Sequence, residues 1–324
     1  MSFPPTSPTT ARDAARARGR GDGGFSLVEV LVAAVVLVII MAMLAILVGQ
    51  TGKVLKKTTA KIEAFQNARA AYQTMTARLS EATLNTYLDY YDASFARRTA
   101  ANASTFAPAY YARASDLHFV VDRGGVLLPD GDAAAHPGCA VFFQAPLGYA
   151  ASSAYAGMPN ALNACGYYVD FGAEQTTLPA FIQNLTKPRY RYRLLEFLQP
   201  TDAFALYSTP ASGNTTAYEA WFRSFLPPAV ARQKAPLRVL AENIVALVIL
   251  PQSSSLDTTA ALAPAYAYDS RAGTILTATH HQLPPLLRVA MVALDEPSAQ
   301  RLSPDGDASK PALIAAALNG RFQA

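Results

Sequence analysis

One carboxylate stands where a carboxylate is costly. Glu29 lies at the head of an apolar run, and from Val30 to Gly49 no charged residue follows it. A carboxylate at the edge of a low-dielectric medium needs a partner, either a cation or a set of hydrogen-bond donors. Other groups able to do chemistry are few. The two cysteines, Cys139 and Cys165, form no CxxC pair and have no metal-ligand spacing. They could be bridged, which would contribute about 3 kcal/mol in the chain-entropy view, or be separate buried thiols. The histidines are His118, His136, His280 and His281. The adjacent pair His280-His281 makes a poor metal site, because neighbouring side chains on an extended chain point apart. Asp130-Gly131-Asp132 and Asp305-Gly306-Asp307 could each offer two carboxylates to calcium. Neither completes an EF-hand loop, and Asp-Gly is a common turn. The expectation is no metal site and no cofactor, calcium being the only cation with a plausible donor set. The chain has no GxSxG, HExxH, Walker lysine loop or GxGxxG, and no nucleophile–base pair stands out, so no residues carry an enzymatic reaction.

The elements that would position Glu29 come next. A helix over Val30 to Gly49 spans about 30 Å, enough for a bilayer core. Before it, Met1 to Thr10 is rich in Pro, Ser and Thr, and Arg12, Arg16, Arg18 and Arg20 outnumber Asp13 and Asp22. This basic flank places the leader in the cytoplasm and sends the C-terminus outward, although Lys53, Lys56, Lys57 and Lys61 on the far side weaken the asymmetry. Across 324 residues the net charge is +4, with 51% apolar and 15% charged residues. That charge is too small and dispersed for nucleic acid. The balance of aromatic and apolar residues suits a β-containing domain outside the cytosol.

Gly24-Phe25-Ser26-Leu27-Val28-Glu29 followed by an apolar run resembles the processing site of type IV pilins and type II secretion pseudopilins. The resemblance implies cleavage by prepilin peptidase between Gly24 and Phe25 and N-methylation of Phe25. It also implies an assembly role for Glu29, which takes the place of the family's fifth-position glutamate. A new α-amine at Phe25 would be cationic at neutral pH, by its reference pKa of about 8. Glu29 of one subunit could then meet the N-terminus of a neighbour and set the register of addition. Without assembly, Glu29 would lie solvated at headgroup level.

The apolar pattern continues through Leu55, Ile62, Phe65, Tyr72, Met75 and Leu79, with Lys56, Lys57, Lys61, Glu63, Arg69 and Arg78 between them. This spacing predicts an amphipathic continuation of the helix, from about Ser26 to Leu84. Residues 85–115 read as a connection with one or two short strands, its tyrosines packed at a domain edge. Strands are expected at Leu117–Val121, Cys139–Gln144, Gly166–Gly172 and Arg189–Leu198, and a short helix at Pro159–Cys165. Arg189, Arg191 and Arg193 alternate with Tyr190 and Tyr192, which reads as a solvated sheet face rather than a nucleic-acid surface. One apolar run spans Val239–Leu250, and a last strand lies within Gln282–Glu296. The late Leu283-Pro284 and the strand behind it resemble the minor pseudopilin J-type domain, and the combination also resembles the Verru_Chthon cassette protein C group. Ala312 to Leu318 suggests a terminal helix.

The expected fold is α+β: a long N-terminal helix packed on a mostly antiparallel, strand-rich head, as in pilins. The divisions are 1–24, a cytoplasmic leader that is removed; 25–52, a transmembrane or filament-core helix; 53–84, its amphipathic continuation; and 85–324, the head. The expected function is that of a non-enzymatic, minor, tip-type filament subunit. It would be a single-pass inner-membrane protein with its head periplasmic or at the cell surface, and its partners would be prepilin peptidase and other pilin-like subunits. The alternative is a membrane-anchored extracytoplasmic binding protein that uses a pilin-type signal without polymerising.

Overall fold

The computed structural model describes residues 26–174, 180–183, 185, 187–208, 218–253, 262–263 and 266–319. The chain divides into two compact units at Lys56/Lys57. In the first, the described residues are helical from Leu27 onward. This is the start of α1, Leu27–Ser80. Ser26 caps it, its hydroxyl oxygen accepting the Glu29 amide at 3.2 Å. The helix ends four residues before the expected Leu84, and Glu81 and Ala82 bond back to Arg78 and Leu79 in a closing turn.

In the second unit the buried residues of α1 are Ala71, Met75 and Leu79, a stripe one turn apart on one face. The expected stripe was longer. Ile62 and Phe65 are 51% and 66% exposed, so the covered part starts near Ala68. A hairpin follows, β1 Tyr87–Tyr91 and β2 Tyr110–Ala114, with Tyr90 opposite Tyr111. The remaining strands are β3 Val120–Arg123, β4 Cys139–Ala145, β5 Asn163–Ala173, β6 Tyr190–Gln199, β7 Leu237–Glu242, β8 Ile244–Gln252, β9 Tyr268–Asp269 and β10 Leu286–Ala293. Two longer helices close the chain, α2 Glu296–Leu302 and α3 Ala312–Asn319.

Six strands form an antiparallel sheet in the order β7-β6-β5-β4-β3-β9, and β8 and β10 form a second, antiparallel pair. Successive side chains on a strand point to opposite faces, and the core follows that rule. Val141 and Phe143 of β4, with Cys165, Tyr167 and Val169 of β5, join Met75 and Leu79 in one cluster. Ala140, Phe142 and Tyr168 join Phe197, Trp221 and Phe222 in another on the opposite face, where Phe142 and Phe222 stack at 4.1 Å. Buried on both faces, β4 and β5 show no regular alternation of apolar and polar residues, their buried polar side chains being Gln144, Asn163 and Asp170.

Several expected elements are displaced. The strand expected at Leu117–Val121 begins at Val120, and Leu117, His118 and Phe119 are buried but outside it. No helix forms at Pro159–Cys165. Asn163 already belongs to β5, and its side chain binds the Tyr149 and Gln199 backbone. The run Val239–Leu250 is split at Asn243, whose φ of 59° turns the chain, so its halves sit in different sheets. Gly138 ties the sheets together through a parallel bridge to Leu247. Its φ is 93°, and a Cβ there would lie 2.2 Å from the Leu247 carbonyl oxygen, so only glycine fits.

Candidate functional site

Glu29 occupies the third position of α1, in the spacing Ser26-x-x-Glu29 of a capping box. An acidic residue here faces unpaired backbone N–H groups and the positive end of the helix dipole. The side chain is exposed, as are all residues from Leu27 to Gly49. α1 is the one described helix long and apolar enough to cross a membrane, and none of its most apolar window is buried. Gly24 and Phe25 lie outside the described residues. Ser26 was missed as the helix cap, although S-x-x-E ahead of an apolar run is a readable signal.

The other residues with chemical potential are held within the second unit. Cys139 and Cys165 are free and buried, the second of the two alternatives left open by the sequence. The register explains why. Cys165 faces Phe143, so Cys139 lies about 13 Å further along β4 at roughly 3.3 Å per residue. A disulfide needs Cα atoms within about 7 Å. Burial pushes the two thiols up to about 11 and about 12, so neither is a ready nucleophile.

The arginine row is also corrected. Arg191 and Arg193 are buried rather than solvated. The Arg191 guanidinium donates to Glu296 at 2.9 Å, to Asp305 at 3.1 Å and to the Ser303 carbonyl at 2.8 Å. Arg189 pairs with Glu174 at 2.6 Å, and Arg193 donates to the Gly172 carbonyl at 3.0 Å. The row pins α2 and the segment after it to β6, because each buried cation needs carboxylates and carbonyls around it.

The Asp-Gly-Asp turns are likewise used by the protein itself. Asp130 meets His136 Nε2 at 2.8 Å, Asp132 pairs with Lys310, Asp305 holds Arg191, and Asp307 accepts the Ser309 amide at 2.8 Å. Among the described residues no group of three His, Cys, Asp or Glu side chains could hold a metal ion.

Two buried histidines are in opposite states. His136 Nδ1 faces the Val169 carbonyl oxygen at 3.0 Å and Nε2 faces Asp130, while Asp170 lies 3.5 Å from Nδ1. Acceptors on both sides call for a proton on both nitrogens. Burial opposes that charge, but the bond to Asp130 and the carboxylate of Asp170 prevail and raise the pKa. His118 Nδ1 instead accepts from Trp221 Nε1 at 3.1 Å, so Nε2 carries the proton toward Asp269 at 2.7 Å. Burial keeps this ring neutral, its pKa below the ordinary value. His280 and His281 are both mostly buried in the turn before Leu283, and burial with the neighbouring His280 pushes His281 down to about 3. These groups anchor loops, and the sequence carried no signal for their pairing across β3, β5 and β9.

The family described as the prokaryotic N-terminal methylation motif matches residues 19–45. In comparisons with curated proteins and with solved structures, nothing matches the chain. The family match ends at residue 45 and does not distinguish kinds of subunit. The methylation motif, which includes Glu29, together with the long N-terminal helix and the antiparallel sheets behind it, supports a likeness to type IV pilins and pseudopilins.

Proposed function

We propose that the chain is a structural subunit made as a precursor. Prepilin peptidase cuts between Gly24 and Phe25, and Phe25 is N-methylated. The mature chain stays in the inner membrane through a single span, Val30 to Gly49, with the leader cytoplasmic and the head periplasmic or at the cell surface. It then joins other pilin-like subunits, as a minor component, in a type IV pilus-like or type II secretion pseudopilus filament. The divisions of this reading are 1–24 leader, 25–52 core helix, 53–84 amphipathic continuation and 85–324 head.

The observation that carries the proposal is the methylation motif over residues 19–45 on a helix whose apolar run is exposed from its capped first turn onward. A run of this kind needs lipid or other helices around it. Glu29 then meets the cationic N-terminus of Phe25 in a neighbouring subunit, which compensates both charges. Among the described residues of the head, Cys139 and Cys165 are buried, and His118, His136, Arg191 and Arg193 are engaged by neighbouring groups, which supports a scaffold role.

Mass spectrometry of the chain purified from membranes tests the first step. The expected N-terminus is N-methylated Phe25, and intact Met1 would count against processing. For assembly, Glu29→Ala is expected to leave the processed protein in the membrane but lose it from sheared or cross-linked filaments. Unchanged recovery with partner subunits would favour a membrane-anchored binding protein that does not polymerise.

A further inference from the structure

β10 is an edge strand. It pairs with β8 on one side, and among the described residues no strand pairs with the other. Alternate residues of such a strand present unpaired N–H and C=O groups, a template for another chain. The ends of this edge are blunted. Pro284 and Pro285 precede the strand, and a bulge interrupts it between Val292 and Ala293. Between them, no described strand pairs with the outer edge of Leu286 to Met291, where the Val289 carbonyl oxygen accepts the Tyr72 hydroxyl at 3.4 Å.

A groove of 730 Å³ runs between this strand and α1, lined among others by Lys61, Phe65, Arg69, Tyr72 and Met291. Phe65 is 66% exposed in it, and the Tyr72 hydroxyl reaches the Val289 carbonyl oxygen at 3.4 Å. On the outer face of β10, Leu286 and Val292 are 52% and 47% exposed, with Arg288 between them. The charge around the groove is mainly positive. Lys61 and Arg69 line it, Arg288 stands on the other, exposed face of β10, and Arg69 and Arg288 form no ion pair among the described residues. The acid at the groove, Asp295, is engaged as the cap of α2, accepting the Ser298 amide at 2.8 Å. Pairing of β10 with its counterpart in a second copy is disfavoured, because the strand carries Arg288 and no acid.

We propose that this groove accepts an extended acidic segment of a partner protein, added as a strand to the open edge of β10. The inward side chains of that segment are apolar and fill the groove beside Phe65 and Tyr72. The outward ones are acidic and lie against Arg288. Main-chain hydrogen bonds supply affinity, and the alternation of side chains supplies selection. The inference concerns the head alone and stands whether or not Glu29 directs filament assembly.

The test uses the full chain in detergent micelles and a fluorescein-labelled peptide of alternating valine and glutamate. A valine–lysine peptide and a proline-interrupted valine–glutamate peptide serve as controls for charge and for partition into micelles. Saturable anisotropy is expected with the valine–glutamate peptide only. The double substitution Arg69→Glu, Arg288→Glu, at two exposed positions, is expected to weaken binding about tenfold or more. Unchanged far-UV circular dichroism would show that the variant is folded. Hydrogen exchange of the β10 amides is expected to slow when the peptide binds. Absence of binding, equal binding of the lysine peptide, or an unaffected double variant would each overturn the proposal. So would protection of β10 that grows with protein concentration without peptide, which would mark a second copy as the occupant.

Discussion

At the scale of single residues, protons decide the pH range of the head. A histidine in the unfolded chain titrates at about 6.5. His136 has its pKa raised in the fold, so its contribution is full below about 6.5 and is lost as pH rises through the folded value. His118 and His281 have theirs lowered, so their contribution is present above about 6.5 and is lost as pH falls. The denaturation midpoint is therefore expected to peak near neutrality and fall on both sides. In His136→Gln the alkaline fall should flatten while the acid fall persists, and an unchanged alkaline limb would refute the imidazolium assignment. The cysteines give a second outcome. Ellman's reagent should find almost no reactive thiol in the native chain and both thiols in denaturant without reductant, since Cys139 and Cys165 are buried and unbridged. The residue types of these groups were plain in the sequence. Their states were not, because a histidine's charge depends on which atoms the fold brings to its two nitrogens.

At the scale of elements, two junctions hold the second unit in register. Gly138 lets the segment before β4 approach β8 more closely than any side chain permits. Gly138→Ala should cost roughly 3 kcal/mol or more in urea unfolding, from backbone strain and a clash with Leu247 together. Asp295 caps α2, and Asp295→Ala should cost about 1 kcal/mol in the same measurement. Most elements were legible as patterns. β4, β5, β6 and β10 announced themselves by alternation or by apolar runs between turn residues, and α3 by its composition. The break at Asn243 was not legible, because the apolar residues on either side form one run. Nor was α2, whose short sequence is stabilised by Arg191 and Asn243 reaching Glu296.

At the scale of the whole molecule, the two units carry separate duties in the proposed reading. Glu29 lies in the first and the sheets lie in the second. Glu29→Gln is therefore expected to lower recovery in filaments while leaving the urea midpoint of the head unchanged. A shifted midpoint would mean that Glu29 acts through folding of the head rather than through contact between subunits.

The sequence by itself determined the features that depend on local order. These are the motif at Gly24, Phe25 and Glu29, the apolar run that follows, and the α+β succession of one long helix and many strands. Each rests on neighbours in the chain, where spacing alone decides what shares a helix face or a strand face. Only the tertiary structure decided that the arginines of β6 are buried among carboxylates and carbonyls and that the register sets the two cysteines too far apart on one sheet face to be bridged. It alone decided that His136 is held as a cation while His118 stays neutral, and that β10 has no strand on its outer edge beside Phe65. Those outcomes depend on strand register and on contacts between residues far apart in sequence, and a shift of one residue in register would move each side chain to the other face.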